Sequence, residues 1–172
     1  MIGNGYRIVP IPHGSKATDL PGWTKLHATA EDIDTWSKMI KYRNGNIGIL
    51  TEATPCVDID VYDKELADEL EAWVLEKYGD AMVRVGRAPK RALIFRAERP
   101  FPKREFTFAD GKQRHKVEVL ATGQQFVAYG IHPDTRKPYT WTSFEEPLDT
   151  PASVLPLLSM QDAEDILDYF GT

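Results

Sequence analysis

Cysteine is nearly absent from this 172-residue chain. Its one copy, Cys56, cannot close an internal disulfide or build a cysteine-rich zinc site, and a single thiol fits a reducing compartment. Long apolar runs are missing as well, so no segment approaches a membrane span. The first six residues lack the basic-then-apolar pattern of a signal peptide, and a cytoplasmic location is expected. There is no internal repeat and no low-complexity tract. What remains is ordinary: 42% hydrophobic and 27% charged residues are the proportions of a globular protein, enough for one core and one domain over 1–172.

The net charge of −5 argues against a nucleic-acid partner only if it is spread evenly. It is not. From Arg84 to Lys116 eleven Lys and Arg face three acids, so that stretch is +8 and the remainder is −13. A basic band on an acidic protein is the footprint of a phosphate-binding surface, with a solvated strand pair as the plain alternative.

Tyr6 to Ile11 reads as a short strand stopped by the prolines at 10 and 12, followed by a loop, His13 to Thr18, in which Gly14, Ser15 and Lys16 let backbone amides and an ammonium approach a phosphate. Thr29, with Glu31 and Asp32, opens a helix of about a dozen residues in which Trp36 is expected in the core. Asn44 to Asn46 is a turn into the strand Ile47–Leu50. Asp63 caps a helix to about Tyr78, ending near Gly79, and strand, amphipathic helix and strand in succession suggest a βαβ element. Met82–Arg87 and Ala92–Arg96 are strands joined by the basic turn Ala88-Pro89-Lys90-Arg91. Asp110-Gly111 signals a hairpin with a type I′ turn. Gly123–Tyr129 is a further strand, 147–156 is linker-like, and Ser159 caps a closing helix with Ala163, Ile166, Leu167 and Phe170 inward. The class is α/β with a mostly antiparallel sheet.

The stretch Cys56 to Val61 is an apolar strand interrupted at alternate positions by Asp58 and Asp60. Strand alternation puts both carboxylates on one face, where they repel and invite a cation. Hard oxygen ligands at this spacing suit Mg²⁺ or Mn²⁺, although a solvated strand face carries the same pattern without chemistry. In the hairpin's second strand Val117 and Val119 take one face, and Glu118 stands on the other, where a core residue is usual. An ion pair with Lys116 is its plain alternative.

Taken together these residues resemble the bifunctional DNA primase/polymerase domain of the archaeo-eukaryotic primase superfamily, found in phages, plasmids and mobile elements. The likeness runs over roughly 5–142: Gly5 to Ile11, Gly22-Trp23, Asn46 to Ile49, Val57-Asp58-Ile59-Asp60 as a first metal motif, and Val117 to Leu120 as a third. It continues through Gln125 to Ala128, Gly130 to Thr135, Tyr139 and Trp141. The resemblance implies a catalytic sheet of RNA-recognition-motif type (51–145), a smaller N-terminal α/β layer (1–50), a cleft between them, and a closing segment (146–172). It implies that Asp58, Asp60 and Glu118 bind two Mg²⁺ or Mn²⁺ ions, with no zinc, for template-directed nucleotidyl transfer. dNTP or NTP, single-stranded template and primer are the implied partners, with a helicase on the same or another chain and no membrane. Lys90, Arg87, Arg91 and His132 are the implied nucleotide ligands, with Lys16 and Lys25 in the matching N-terminal loops. Arg96, Arg104, Lys112, Arg114 and Lys116 would follow template backbone.

One motif departs from the family. Where a small residue, any residue and His are expected, the chain reads Ala88-Pro89-Lys90. Lys binds phosphate but neither accepts a hydrogen bond nor titrates near neutrality. Two other readings use the same residues: a nucleotide- or single-strand-binding module without catalysis, and a two-metal nuclease, whose usual Glu-x-Lys order is reversed in Lys116-Val117-Glu118.

Overall fold

Strand alternation over 56–61 divides the interior into two layers. Val57, Ile59 and Val61 are fully buried against the helices, and Cys56, Asp58 and Asp60 face the opposite way. In the computed structural model, which describes residues 1–171, this strand, β3 (Cys56–Asp60), lies inside a six-stranded antiparallel sheet. The order is β6 (Arg104–Asp110), β7 (Gln113–Leu120), β3, β5 (Arg91–Ile94), β4 (Met82–Val85), β9 (Thr140–Trp141). A second, three-stranded sheet has the order β1 (Ile8–Ile11), β2 (Asn46–Leu50), β8 (Gln125–Tyr129). The chain is therefore mixed α and β with two antiparallel sheets.

Strands β3 and β4 are parallel to one another with β5 inserted between them, so β3, the helix α2 (Lys64–Tyr78) and β4 form a split βαβ unit. The run β7-β3-β5-β4 is the strand order of the RNA-recognition-motif sheet. Helix α2 starts at Asp63, whose side chain accepts from the Leu66 amide, and buries Ala67, Leu70 and Val74. Helix α3 (Met160–Gly171) begins with reciprocal bonds between Ser159 and Asp162 and packs Ala163, Ile166 and Leu167 on the same layer, with Phe170 part-buried beside them. Helix α1 (Ala30–Lys38) has the capping box read from Thr29 and Asp32.

Several local expectations are corrected. Pro10 lies inside β1 rather than ending it; β1 is the edge of its sheet, where a missing donor is tolerated. Helix α1 stops at Lys38 and buries no residue, so Trp36 is half-buried over a groove and not core. The hairpin pairs Asp110 with Gln113, so its loop is Gly111-Lys112, with only Gly111 at positive φ; that fits type II′ with Gly first. Residues 147–156 are not a free linker: Tyr6 donates to the Thr150 carbonyl, Arg96 to the Leu155 carbonyl, and Leu155 is buried. Strand β8, read as part of the 51–145 sheet, pairs instead with β2, so the small sheet closes only when a late segment returns to an early one.

The face of the large sheet turned toward the small one is organised in rows across the strands. Leu120, Cys56, Ile94 and Met82 form an apolar row packed on Ile49, Phe126 and Ala128. One step along, the aligned residues are Glu118, Asp58, Ala92, Arg84 and Trp141. At the next step Lys116 opposes Asp60. Glu118, Asp58 and Arg84 of the second row and Asp60 of the next line a cleft, while Ala92 stays within the inter-layer core.

Candidate active site

The cleft has a volume of about 530 Å³ and is lined by Asp58, Asp60 and Glu118 together with Lys90, Arg84 and His132. Register explains the acids. Asp58 and Glu118 are directly opposite partners of β3 and β7, on the same face as Asp60. Three carboxylates separated by 60 residues of sequence thus share one surface. Desolvation raises the Asp58 pKa from 3.8 to about 6; Glu118 and Asp60 push the same way, while Arg84 and Lys116 oppose the rise.

Lysines hold the other two acids. The Lys90 ammonium lies 2.5 Å from Asp60 Oδ1 and 3.6 Å from the centre of the Tyr62 ring. Lys103 is 2.5 Å from Glu118 Oε1, and Lys116 is 2.8 Å from Oε2. These partners raise the pKa of Lys103 and Lys90 against the opposing effect of burial. Ammonium groups therefore sit where a divalent cation would neutralise the acids.

The donor set bears on whether metal fits. Among the described residues no three His, Cys, Asp or Glu side chains form a ready-made coordination cluster. The chemistry is nevertheless that of a hard-cation site: three carboxylates on one face, with Asp60 Oδ1 buried and accepting no properly directed hydrogen bond. The acids fit Mg²⁺ or Mn²⁺ once the lysine side chains, which are long and rotatable, swing aside.

Two loops close the far wall, and β2 and β8 pin both. The Asn46 amide accepts from the Ile131 amide at 2.8 Å and donates to the Ile131 and Ser15 carbonyls. Gly130, at φ +126°, leaves room for this, since a Cβ there would lie 1.9 Å from Asn46 Oδ1. Gln125 donates to the Lys16 carbonyl at 2.8 Å. Lys16 and His132 are thus brought to the cleft from 116 residues apart. His132 Nδ1 accepts from the Asp134 and Thr135 amides at 3.2 and 3.3 Å, so the neutral ring carries its proton on Nε2. Burial and nearby Lys16 push its pKa below the usual imidazole value. His132 is therefore a fixed neutral donor, unsuited to be a general base.

The remaining sequence candidates divide. Arg87 lines the cleft, 3.8 Å from Asp134. Arg91 also lines it, but its guanidinium is engaged by Asp68 at 2.8 Å and by Glu71, both on α2. Lys25 is exposed and does not line the cleft. Arg96 anchors the Leu155 carbonyl and Arg104 pairs with Glu164 of α3, so both hold the closing segment. Lys112 and Arg114 stand exposed at the hairpin, and Lys116 belongs to the acid cluster. Sequence reasoning missed Lys103, Arg84 and Tyr62, and had Asn46 and Gln125 only as members of the stretches carrying the resemblance, without their anchoring roles. Arg84 left a signal, a charge inside the apolar run Met82-Val83-Arg84-Val85; Lys103 left none.

The site is thus a two-sheet α and β cleft in which paired carboxylates face a rim of cations. Residues 1–156 match the family described as bifunctional DNA primase/polymerase, N-terminal. The chain belongs to that family, whose reaction is nucleotidyl transfer on nucleotide and DNA substrates. No curated protein matches the chain. Among the described residues no helix is long and apolar enough to cross a membrane.

Proposed function

We propose that this cleft performs template-directed nucleotidyl transfer, joining an incoming dNTP or NTP to the 3′ end of a primer in the replication of a phage, plasmid or mobile element. The observation that carries the reading is the register row that sets Glu118 beside Asp58, with Asp60 on the same face, in a cleft rimmed by Lys16, Arg87 and Lys90. Asp58, Asp60 and Glu118 would hold two divalent ions, which when bound supply activation of the 3′-hydroxyl and neutralisation of the leaving pyrophosphate.

The residues of the chain position and neutralise. The primer oxygen forms a bond to the α-phosphorus, the bond to the bridging oxygen breaks, pyrophosphate leaves and the hydroxyl proton passes to solvent. Lys90, once released from Asp60, is long enough to follow the triphosphate, and Lys16 and Arg87 add charge from the loops. His132 donates through Nε2–H to a phosphate or sugar oxygen. Lys112 and Arg114 on the exposed hairpin, which make no ion pair among the described residues, would follow template backbone, and a helicase on the same or another chain would supply the single strand.

The lysines on Asp60 and Glu118 favour a second reading, a nucleotide- or single-strand-binding module without turnover. Extension of a labelled primer on a single-stranded template with dNTPs and Mn²⁺ or Mg²⁺, beside an Asp58→Ala/Asp60→Ala variant, separates the two. Extension by the wild type alone supports the polymerase. Nucleotide binding without extension supports the module, and loss of labelled DNA without nucleotides overturns both in favour of a nuclease.

A further inference from the structure

Arg84 is a buried charge with no direct ion pair; Asp58 acts on it only across Ala92. It lies within β4, is 9% exposed, and makes no ion pair among the described residues. Its one hydrogen bond runs from Nη1 to the Val127 carbonyl at 2.6 Å. Nε is buried and donates to nothing. The guanidinium carbon sits 4.8 Å from the centre of the Tyr139 ring and 5.6 Å from that of Phe126, so two aromatic rings fix its position. Gly86 makes this packing possible, because a Cβ there would lie 2.4 Å from the Tyr139 ring.

A guanidinium taken out of water with no anion hydrogen-bonded to it is disfavoured, and a ligand that brings one to the open Nε–H would complete it. The ligand's side is visible in the row Glu118, Asp58, Ala92, Arg84. Ala92, between Asp58 and Arg84 in that row, is buried in the inter-layer core, and Asp58, Glu118 and Arg84 all line the one cleft, with Arg84 two strand spacings, roughly 10 Å, from Asp58. His132 packs on the same Tyr139 ring, 5.4 Å between centroids, with its Nε2–H uncommitted.

We infer that Arg84 is a phosphate-binding residue of this cleft, and that its free Nε–H, with the Nε2–H of His132, receives a phosphoryl group of the bound nucleotide. The inference rests on the nucleotidyl-transfer reading and extends it to a residue on β4, away from the basic turn. Lys90, Arg87 and Lys16 are rim cations that already face Asp60 or Asp134; Arg84 is held between two rings with no ion pair, and its planar fork suits a tetrahedral oxyanion.

Calorimetric titration of the wild type, Arg84→Gln and Arg84→Lys with dATP, inorganic tripolyphosphate and deoxyadenosine tests it without turnover. Arg84→Gln is expected to weaken dATP and tripolyphosphate about 10- to 100-fold, with Arg84→Lys between it and the wild type and deoxyadenosine unaffected. A purely structural Arg84 would not discriminate by phosphate. Equal dATP binding by the wild type and Arg84→Gln overturns the inference and leaves the nucleotidyl-transfer reading intact. A wild type that binds neither dATP nor tripolyphosphate overturns that reading and the inference with it. Should Arg84→Gln fail to fold, the Nε–H resonance of the wild type, recognised by its proximity to the Tyr139 and Phe126 rings, is the readout. A shift on adding tripolyphosphate supports the inference, and an unmoved resonance in the ligand-bound protein overturns it.

Discussion

Replacing Asp58 with Asn should stabilise the protein while removing its activity. The carboxylate is half-buried beside Glu118 and Asp60, and its pKa rises from 3.8 to about 6, chiefly through desolvation. A raised carboxylate pKa means that the folded state binds the proton more tightly than the unfolded state does, so ionised Asp58 destabilises the fold at neutral pH. The gap between 3.8 and about 6 corresponds to about 3 kcal/mol at the conversion of 1.36 kcal/mol per pH unit. Partial exposure screens some of this, leaving about 1–3 kcal/mol. For a chain of this size that is a Tm increase of roughly 2–10 °C.

The assay is thermal unfolding of the wild type and Asp58→Asn in EDTA from pH 4 to pH 8. The advantage of Asn is full above the folded pKa of about 6 and shrinks as pH falls toward 3.8, because Asp58 in the folded wild type then becomes neutral too. Mn²⁺ should raise the Tm of the wild type and leave Asp58→Asn little changed. A less stable Asp58→Asn at pH 7.5, or an advantage that does not vary with pH, would refute the reasoning.

Lys116→Met should tighten Mn²⁺ binding by about 3- to 10-fold, since an ammonium 2.8 Å from Glu118 Oε2 both repels and competes with a metal ion; unchanged or weaker binding by titration counts against it. Asn46→Ala removes the acceptor of the Ile131 amide and two donors, and should lower stability by about 1–3 kcal/mol in denaturant unfolding. It should also weaken dATP binding, because the loops carrying Lys16 and His132 lose their shared anchor; a destabilised variant with full affinity would sever that link.

Lys90, where the resemblance implies a His, has a physical consequence for Asp60. A His at that position would compete weakly for Asp60 near neutrality, whereas the Lys90 ammonium is charged throughout the physiological range and lies on the acid at 2.5 Å. With Lys103 and Lys116 on Glu118, the chain's own ammonium groups neutralise both of these acids.

Local rules were enough for part of this. Period-two alternation put Asp58 and Asp60 on one face and Val57, Ile59 and Val61 on the other, and side-chain chemistry placed the caps at Thr29, Asp63 and Ser159. These features depend on neighbours within four residues, so composition and spacing determine them. What depends on pairing between distant strands was decided only by tertiary structure. Register, set by backbone hydrogen bonds and the fit of two layers, brought Glu118 opposite Asp58 and Arg84 into the same row. The return of β8 to β2 placed Gln125 where it anchors the Lys16 loop, and spatial proximity sorted the cations. Arg91, Arg96 and Arg104, alike in sequence to Lys90 and Arg87, are engaged by α2, the closing segment and α3, while Arg84 was left buried and facing the cleft. Sequence supplies the number and sign of charges; only the fold determines which of them remain free to bind a ligand.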